Sequence, residues 1–392
     1  MDGRGAAAAA AAGGAAGAGA GAGVKGPKVL VHLEAAAAMA EQAKALFKVE
    51  EVTGVELGQT GAPAAPLALR EGSIIGDLDT LHEPFGNAVV RPAAAESGQP
   101  SLLFISSQKQ NCVRVFDAIS GARIRKIATG SRPLGLALRS AGPSGSGRPA
   151  ILYVAELGDH RVQAFEADTG IHVHSFGTGT AGAAADQLNH PYGLVLHGQA
   201  PGSDQPTLLF VADYNNHRVQ VFDADSTALL RTIGTTGQAG NAKGQFSNPR
   251  GLALRPPGPP GSGRTAILYV AEGNDHRIQA LEADTGSHLR FFGTGKKGAA
   301  ADQLSNPLGV ALHEPPLGSD HPTLLFVADY GNHRVQVFDA DTGALVRTIG
   351  QDGEALGQLN HPTAVTVHPG ADGEMILFVT EYGNNRVQAF VL

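Results

Sequence analysis

Apolar runs along this chain are short, and residues that favour turns separate them. Between positions 193 and 233 the runs fall at 193–196, 208–212, 219–222 and 229–233, with Gly, Pro, Asn and Asp between them. Runs of this length that are rich in Val, Ile, Leu and Phe are typical of β-strands joined by turns. The pattern predicts four strands in this part of the chain.

The second of these runs, LLFVA at 208–212, shows no polar alternation. A strand that is apolar on both sides must be covered on both faces. Sheets stacked face to face around a central axis give that cover, and radial repetition of four-stranded sheets is the β-propeller architecture. We therefore expect each four-strand unit to be one blade.

The unit recurs along the chain. TLLFVADY at 207–214 returns at 323–330, and HRVQVFDAD at 217–225 returns at 333–341, both at an offset of 116 residues. An arginine that opens a similar string marks five units, and CVRVFD at 112–117 is a divergent sixth copy. Periodicity of this kind indicates a repeat architecture. The sequence predicts an all-β, six-bladed β-propeller.

The last unit lacks its fourth strand, because the sequence ends at Leu392, directly after the third. Upstream of the first unit, residues 67–91 align with 345–367, where a fourth strand leads through a proline turn into a first strand. We predict that a strand around 68–76 completes the sixth blade. Such closure leaves no open edge between the last and first blades.

Composition divides the rest of the chain. Residues 6–23 contain only Ala and Gly, so we expect 1–27 to be a disordered low-complexity tail. Residues 28–65 are expected to hold a short strand, a helix over 33–50 and a linker, and the propeller is expected over 66–392. A net charge of −7 and a single cysteine argue against a general phosphate-binding surface and exclude an intramolecular disulfide framework. We expect a soluble, cytoplasmic protein.

The recurring strings resemble a known family. VADYNNHRVQVFD at 211–223, VADYGNHRVQVFD at 327–339 and VAEGNDHRIQALE at 270–282 are similar to NHL repeats, which are named for an Asn-His-Leu triplet that reads Asn-His-Arg here. The resemblance covers about 66–392 and weakens over 85–128. It implies a six-bladed propeller that binds protein or RNA, with one enzymatic branch, the peptidyl-hydroxyglycine lyases. One cysteine leaves no RING or B-box domain.

An acid ends the second strand and an arginine opens the third in five of the units. The first unit has Ser107 and Cys112 instead, and partners that are missing together indicate structural ion pairs, each worth about 0.5–1 kcal/mol if partly exposed. The predicted pairs are Glu156–Arg161, Asp213–Arg218, Glu272–Arg277, Asp329–Arg334 and Glu381–Arg386. The alternative is a ring that binds a ligand.

Four histidines precede those arginines, and they raise the question of a metal site. They are His160, His217, His276 and His333. Equivalent positions on different blades diverge around a ring, whereas metal ligands must converge to within about 2.1 Å of one ion. We predict turn hydrogen bonding, and neither a metal nor a cofactor.

The residues beside the turn prolines vary while the repeat is constant. Antiparallel blades place the proline turns and the Asn-His-Arg turns on one face, so we predict that these residues surround the mouth of the central channel. The candidate binding residues are Phe85, Arg132, His190, Tyr192, Arg250 and His361. Alternatively, Phe85, Leu134 and Leu308 only plug the channel. The abundant glycines are interpreted as turn residues.

The predicted function is a non-catalytic interaction module that binds a protein or peptide on the face of the proline turns. Single-stranded RNA binding on that face is the alternative, with Arg132 and Arg250 on phosphates and Tyr192 and Phe85 stacking on bases. A metal-dependent lyase or hydrolase is disfavoured, because the zinc-binding histidines of the lyases follow the turn proline, where no unit here has one. Neither a membrane nor DNA is expected as a partner.

Overall fold

The computed structural model describes residues 73–75, 81–86, 89–91, 101–118, 120–142, 146–198, 206–259, 261–316, 319–369 and 374–392. All of them belong to the second of two units, which spans Pro63–Leu392. The tail predicted over 1–27 and the strand, helix and linker predicted over 28–65 lie outside the described residues.

Six four-stranded antiparallel sheets make up the described part of the chain. Neighbouring sheets contact one another mainly through their first strands, which places those strands around a central channel. The predicted all-β, six-bladed propeller is confirmed. We number the blades 1 to 6 in the chain order of their first strands.

The strands take the following bounds, from the channel outwards. The first strands are β2 (Val89–Arg91), β6 (Pro133–Arg139), β10 (Pro191–His197), β14 (Pro249–Arg255), β18 (Pro307–His313) and β22 (Pro362–Pro369). The second strands are β3 (Leu102–Ser107), β7 (Ile151–Glu156), β11 (Leu208–Asp213), β15 (Ile267–Glu272), β19 (Leu324–Asp329) and β23 (Met375–Glu381). The third strands are β4 (Cys112–Asp117), β8 (Arg161–Glu166), β12 (Arg218–Asp223), β16 (Arg277–Glu282), β20 (Arg334–Asp339) and β24 (Arg386–Val391). The fourth strands are β5 (Arg123–Ala128), β9 (His172–Phe176), β13 (Leu229–Gly234), β17 (His288–Phe292), β21 (Leu345–Ile349) and, for blade 6, β1 (Ser73–Ile75).

The amino-terminal strand closes the ring as predicted. β1 pairs antiparallel with β24, with Ser73 opposite Ala389 and Ile75 opposite Val387. The outer strand of blade 6 therefore comes from the opposite end of the chain to its other three strands, and blade 6 can form only when both ends meet.

Every residue of the second strands except Ile267 and Ile376 is buried, as their apolar sequence predicts. Tyr153 of blade 2 packs in one cluster with Leu209 and Val211 of blade 3, and all three are fully buried. Each large side chain buried in this way contributes about 1.5–3 kcal/mol. The core thus consists of apolar layers between neighbouring blades, and every blade depends on the next one.

Several glycines lie inside first strands at the channel. A Cβ added to Gly193 would lie 2.2 Å from the carbonyl oxygen of Arg250, and one on Gly251 would lie 2.2 Å from that of Leu308. Real Cβ atoms do not approach backbone this closely, so glycine permits these strands to come together. The interpretation of the glycines as turn residues is wrong here, because their function is close packing around the axis.

Candidate functional site

Each blade contributes two turns to one face of the propeller, which we call the Pro-turn face. One turn precedes the proline that leads into the first strand, and the other joins the second strand to the third. In both turns one residue has a φ between 48° and 59°, a left-handed conformation that non-glycine residues rarely adopt. The first set is Glu83, Arg132, His190, Asn248, Asn306 and His361, and the second set is Asn111, His160, His217, His276, His333 and Asn385.

The two sets of turns are bonded to each other across neighbouring blades. Each second-set side chain accepts a hydrogen bond from the backbone N–H of a first-set residue in the next blade, as where Nδ1 of His217 lies 3.1 Å from the nitrogen of Asn248. The other pairs are Asn111 with Arg132 (3.0 Å), His160 with His190 (3.2 Å), His276 with Asn306 (3.0 Å), His333 with His361 (3.3 Å) and Asn385 with Glu83 (2.8 Å). The turn histidines therefore join blades.

A pH dependence follows, because Nδ1 can accept a hydrogen bond only when it carries no proton. Burial lowers the pKa of His217 from its ordinary value of 6.5, so the folded protein favours the neutral ring. We expect the contribution of this hydrogen bond to the free energy of unfolding to be fully present above about pH 7 and to fall below it, since the unfolded chain then binds a proton that the folded turn rejects.

Asparagine serves as the acceptor in blades 1 and 6, which supplies a matched variant. His217→Asn keeps an acceptor at the same place and suits the left-handed turn. Between about pH 7.5 and pH 5 the variant should lose less unfolding free energy than the wild type, by up to roughly 1 kcal/mol. Urea unfolding at each pH measures the difference, and equal losses would contradict the assignment.

The five acid–arginine pairs lie behind these turns. Each arginine Nε is 2.7–2.8 Å from a carboxylate oxygen of its paired acid, and every one of the acids is 0% exposed. The pairs are Glu156–Arg161, Asp213–Arg218, Glu272–Arg277, Asp329–Arg334 and Glu381–Arg386. Burial raises the pKa of Glu272 to about 7, and Arg277 opposes that rise. Removing one partner of a buried pair costs more free energy of unfolding than removing one partner of the partly exposed pairs that the sequence predicts.

Four of these arginines, all except Arg161, also hold the loops that lead into the first strands. The guanidinium of Arg218 donates hydrogen bonds to the carbonyl oxygens of Ala183 (3.0 Å), Ala184 (3.1 Å) and Gln187 (2.9 Å). Its partner Asp213 accepts a hydrogen bond from the backbone of the same loop. The pair therefore fixes the loop that presents the Pro-turn face of blade 3, and it faces the protein interior rather than a ligand.

The residues after the turn prolines close the channel on this face. A cavity of only about 10 Å³ remains between them, lined by Phe85, Leu134, Tyr192, Leu308 and Thr363. Beyond it, the channel widens into a cavity of about 290 Å³ between the first strands, lined among others by Leu136, Leu194 and Leu252. Leu134 and Leu308 are buried, while Phe85 and Tyr192 are half-exposed. The leucines plug the channel, and the aromatic residues also face outwards.

A cluster of half-exposed aromatic side chains covers the plug, and we call it the aromatic patch. It consists of Phe85, Tyr192, Tyr214, Tyr330 and Tyr382. The ring of Phe85 lies edge-on to those of Tyr192 and Tyr382, with both centroid distances 5.8 Å, and Tyr192 stacks on Tyr214 at 5.9 Å. Burial raises the pKa of Tyr192 above its ordinary value.

Sequence reasoning missed three members of the patch. Tyr214, Tyr330 and Tyr382 each follow the acid that ends a second strand, a position that was interpreted as part of the frame. The chain has six tyrosines and no tryptophan, and four of the six lie on this face. That concentration in turns is the signal that could have found them.

Arg250 lies against the patch. Its guanidinium carbon is 5.9 Å from the ring centroid of Tyr192 and 5.5 Å from that of Tyr214, both within cation–π range. Gly273 makes room for it, since a Cβ there would lie 2.6 Å from Nη1. Phe85, Tyr192 and Arg250, three of the candidate binding residues, thus come together.

The other candidates lie around this group. Arg132 is exposed in the turn of blade 2. The ring of His190 lies 4.6 Å from that of His160, and His361 lies 4.3 Å from His333 and 4.6 Å from Tyr330. The two histidines therefore belong to separate turn pairs.

Comparison with known proteins connects this geometry to a family. No family model matches the chain. It is similar to NHL repeat-containing protein 2 of Bos taurus, with 32% identity over 105 residues, and to that of Gallus gallus, with 30% identity over 105 residues. Each alignment covers 25% of this chain, which spans only 12% of the relatives' length. Together with six blades that carry the repeated turns, these similarities support an NHL-repeat β-propeller.

The NHL propeller also has neighbours among solved structures. An auxiliary nutrient binding protein from Bacteroides thetaiotaomicron VPI-5482 has a TM-score of 0.53 at 15% identity, covering 80% of this chain and 71% of that one. Its counterpart from Bacteroides ovatus ATCC 8483 has a TM-score of 0.53 at 12% identity, covering 80% and 70%. At these identities the likeness shows the fold alone.

Two features are absent from the described part of the propeller. No group of three or more His, Cys, Asp or Glu residues is placed there to hold a metal ion. No helix in that part has the length and hydropathy that a membrane crossing requires. The architecture itself is consistent with a protein-binding interaction module.

Proposed function

We propose that this NHL propeller is a non-catalytic interaction module of the cytoplasm that binds a protein or peptide on its Pro-turn face. The aromatic patch with Arg250 is the observation that carries the proposal. Tyrosine and arginine dominate the energetics of protein interfaces, where they act as partly buried anchors. Phe85, Arg132, His190, Tyr192, Arg250 and His361 are the proposed contact residues, together with the other tyrosines of the patch.

The rigidity of the face supports this proposal. Hydrogen bonds join each blade to the next one across the turns, and the acid–arginine pairs hold the loops behind them. A surface that is already ordered loses little conformational entropy when a partner binds. The repeats thus provide a fixed frame, while the variable residues on it provide specificity.

Single-stranded RNA is a weaker candidate for the same face. Stacking on tyrosine and contacts from arginine would suit RNA. However, Glu83, Asp159, Asp275 and Asp352 lie in the same turns, with side chains that are 20–72% exposed. Carboxylates at these places interrupt any continuous path for a phosphate backbone.

Affinity capture from cell extract tests the proposed face. We expect the wild-type protein to retain a partner that the Tyr192→Ala/Arg250→Ala double variant retains at least about tenfold less well, because each anchor contributes on the order of 1–2 kcal/mol or more. Quantitative mass spectrometry of the bound fractions measures the difference.

The control is Arg123→Ala/Leu230→Ala, which removes one arginine and one large exposed side chain from the outer strands β5 and β13. It should retain the partner like the wild type. Thermal unfolding checks that all variants are folded. If the wild type and the Tyr192→Ala/Arg250→Ala variant retain the same proteins in equal amounts, the binding surface lies elsewhere.

A further inference from the structure

Arg250 differs from the arginines of the acid–arginine pairs. Arg218, Arg277, Arg334 and Arg386 each form an ion pair with a buried carboxylate. Arg250 has no carboxylate within 4.0 Å among the described residues. It is a half-buried cation without a counter-ion.

The present partners of Arg250 are neutral. Nη1 donates to the amide oxygen of Asn306 at 2.6 Å, and Nη2 donates to that of Asn274 at 3.4 Å, near the limit of a hydrogen bond. Nε is buried and has no partner within the described part of the chain. The guanidinium thus contacts only neutral groups among the described residues, namely two amide oxygens and two tyrosine rings, and none of them neutralises its charge.

A second arginine lies across Tyr192 in blade order. Arg132 occupies the turn of blade 2, Tyr192 follows the turn proline of blade 3, and Arg250 follows that of blade 4. Arg132 is exposed, and no described carboxylate lies within 4.0 Å of it. Two arginines that have no carboxylate partner among the described residues thus flank Tyr192 in blade order.

Extending the proposed function, on which this inference rests, we propose that the partner is an acidic peptide. The carboxylate of an Asp or Glu side chain binds the guanidinium of Arg250 above the ring of Tyr192, and Arg132 provides a second positive charge at the rim. Hydrogen bonds between arginine and carboxylate are charge-assisted and about twice as strong as those between neutral groups. Arginine also presents a planar fork that matches a carboxylate.

The charge of the surrounding turns limits how acidic the partner can be. Glu83 and Asp352 are exposed near the same rim, and they would repel a ligand with a charge at every position. One or two carboxylates among neutral and apolar residues fit two cations and an aromatic surface. An isolated acid in a peptide meets this requirement better than a polyphosphate chain.

A peptide array with matched probes tests the inference. Each pair of synthetic nonapeptides has the same Pro- and Tyr-containing sequence and differs only in a central Asp or Asn. We expect the wild-type chain to bind the Asp member of its preferred pairs on the order of tenfold more tightly, a ratio typical for one charge-assisted contact. Arg250→Gln should abolish the preference, and Arg123→Gln, which removes a charge from the outer strand β5, should leave it intact.

Other outcomes separate the inference from the proposed function. Equal binding of Asp and Asn peptides, lost in Tyr192→Ala, would overturn the acidic partner and leave the peptide-binding face standing. Binding that survives both Tyr192→Ala and Arg250→Gln would overturn the face itself. Binding of a single-stranded 12-mer RNA but of no peptide, or binding of no probe at all, would also overturn the inference.

Discussion

Arg218→Ala is expected to lower the free energy of unfolding by about 3–5 kcal/mol, the cost of breaking a buried ion pair by removing one partner. Asp213 is 0% exposed, and the side chain of Arg218 is 4% exposed. The substitution also leaves the carbonyl oxygens of Ala183, Ala184 and Gln187 without their donor. Urea unfolding at pH 7.5 measures the loss.

The pair in blade 2 supplies the internal control. Arg161 is 32% exposed, because the loop before blade 2 has only the four residues 129–132 between β5 and β6 and cannot cover it. Water can reach Glu156 once Arg161 is removed, so Arg161→Ala should cost only about 1–2 kcal/mol. Equal losses in the two variants would mean that loop anchoring by Arg218 contributes nothing.

The pH dependence of the Arg218→Ala deficit gives a second check. Burial raises the pKa of Asp213 even with Arg218 present. Removing the guanidinium should raise the pKa of Asp213 in the folded state further, because Arg218 stabilises the ionised carboxylate. A folded-state pKa above the unfolded value favours folding at low pH and disfavours it as pH rises. The deficit relative to the wild type should therefore be larger at pH 8 than at pH 5.

Much of the fold could be predicted from the sequence because the same pattern of strands and turns recurs in several units. The turn residues and the unbroken apolar run of the second strand recur in register, so an error in one unit is corrected by the next. The closing strand Ser73–Ile75 could be predicted for the same reason, since its surroundings resemble the passage from blade 5 to blade 6.

The aromatic patch could be predicted only in part. Phe85, Tyr192 and Arg250 each follow a turn proline, a position whose residue type varies between units, and that variation predicts a binding surface. Tyr330 and Tyr382 come from a different position, and the patch spans nearly 300 residues of sequence. Which side chains come into contact depends on how far each turn extends over the propeller axis. The sequence of a single unit does not show that distance.

The inter-blade function of the turn histidines was also beyond the sequence. A histidine beside an arginine in a turn predicts local hydrogen bonding, whereas His217 bonds Asn248 of the next blade. The asparagines in blades 1 and 6, Asn111 and Asn385, occupy the same position and make the same bond. His and Asn share only an acceptor atom bonded to Cγ, Nδ1 or Oδ1, and a tolerance of the left-handed conformation. Their common function is therefore visible only in the structure.

Gly193→Ala is expected to destabilise the propeller by about 2–3 kcal/mol, as overpacking does where backbone must move. The added Cβ would lie 2.2 Å from the carbonyl oxygen of Arg250, and no flexible side chain can yield there. Gly198→Ala is the matched control, because a Cβ at that position meets nothing within 4 Å. The control should be neutral or slightly stabilising, since alanine restricts the unfolded chain.

The same substitution connects the frame to the patch. Gly193 follows Tyr192 in β10, and a Cβ on Gly193 would displace the backbone carbonyl group of Arg250 in β14. The close approach of these two strands therefore sets the distance between the ring of Tyr192 and the guanidinium of Arg250. We therefore expect Gly193→Ala to weaken partner binding even at temperatures where it remains folded, while Gly198→Ala leaves binding unchanged. If Gly193→Ala unfolded at the same urea concentration as the wild type and bound equally well, the first strands could separate freely. The geometry of the aromatic patch would then not depend on the glycines inside the first strands.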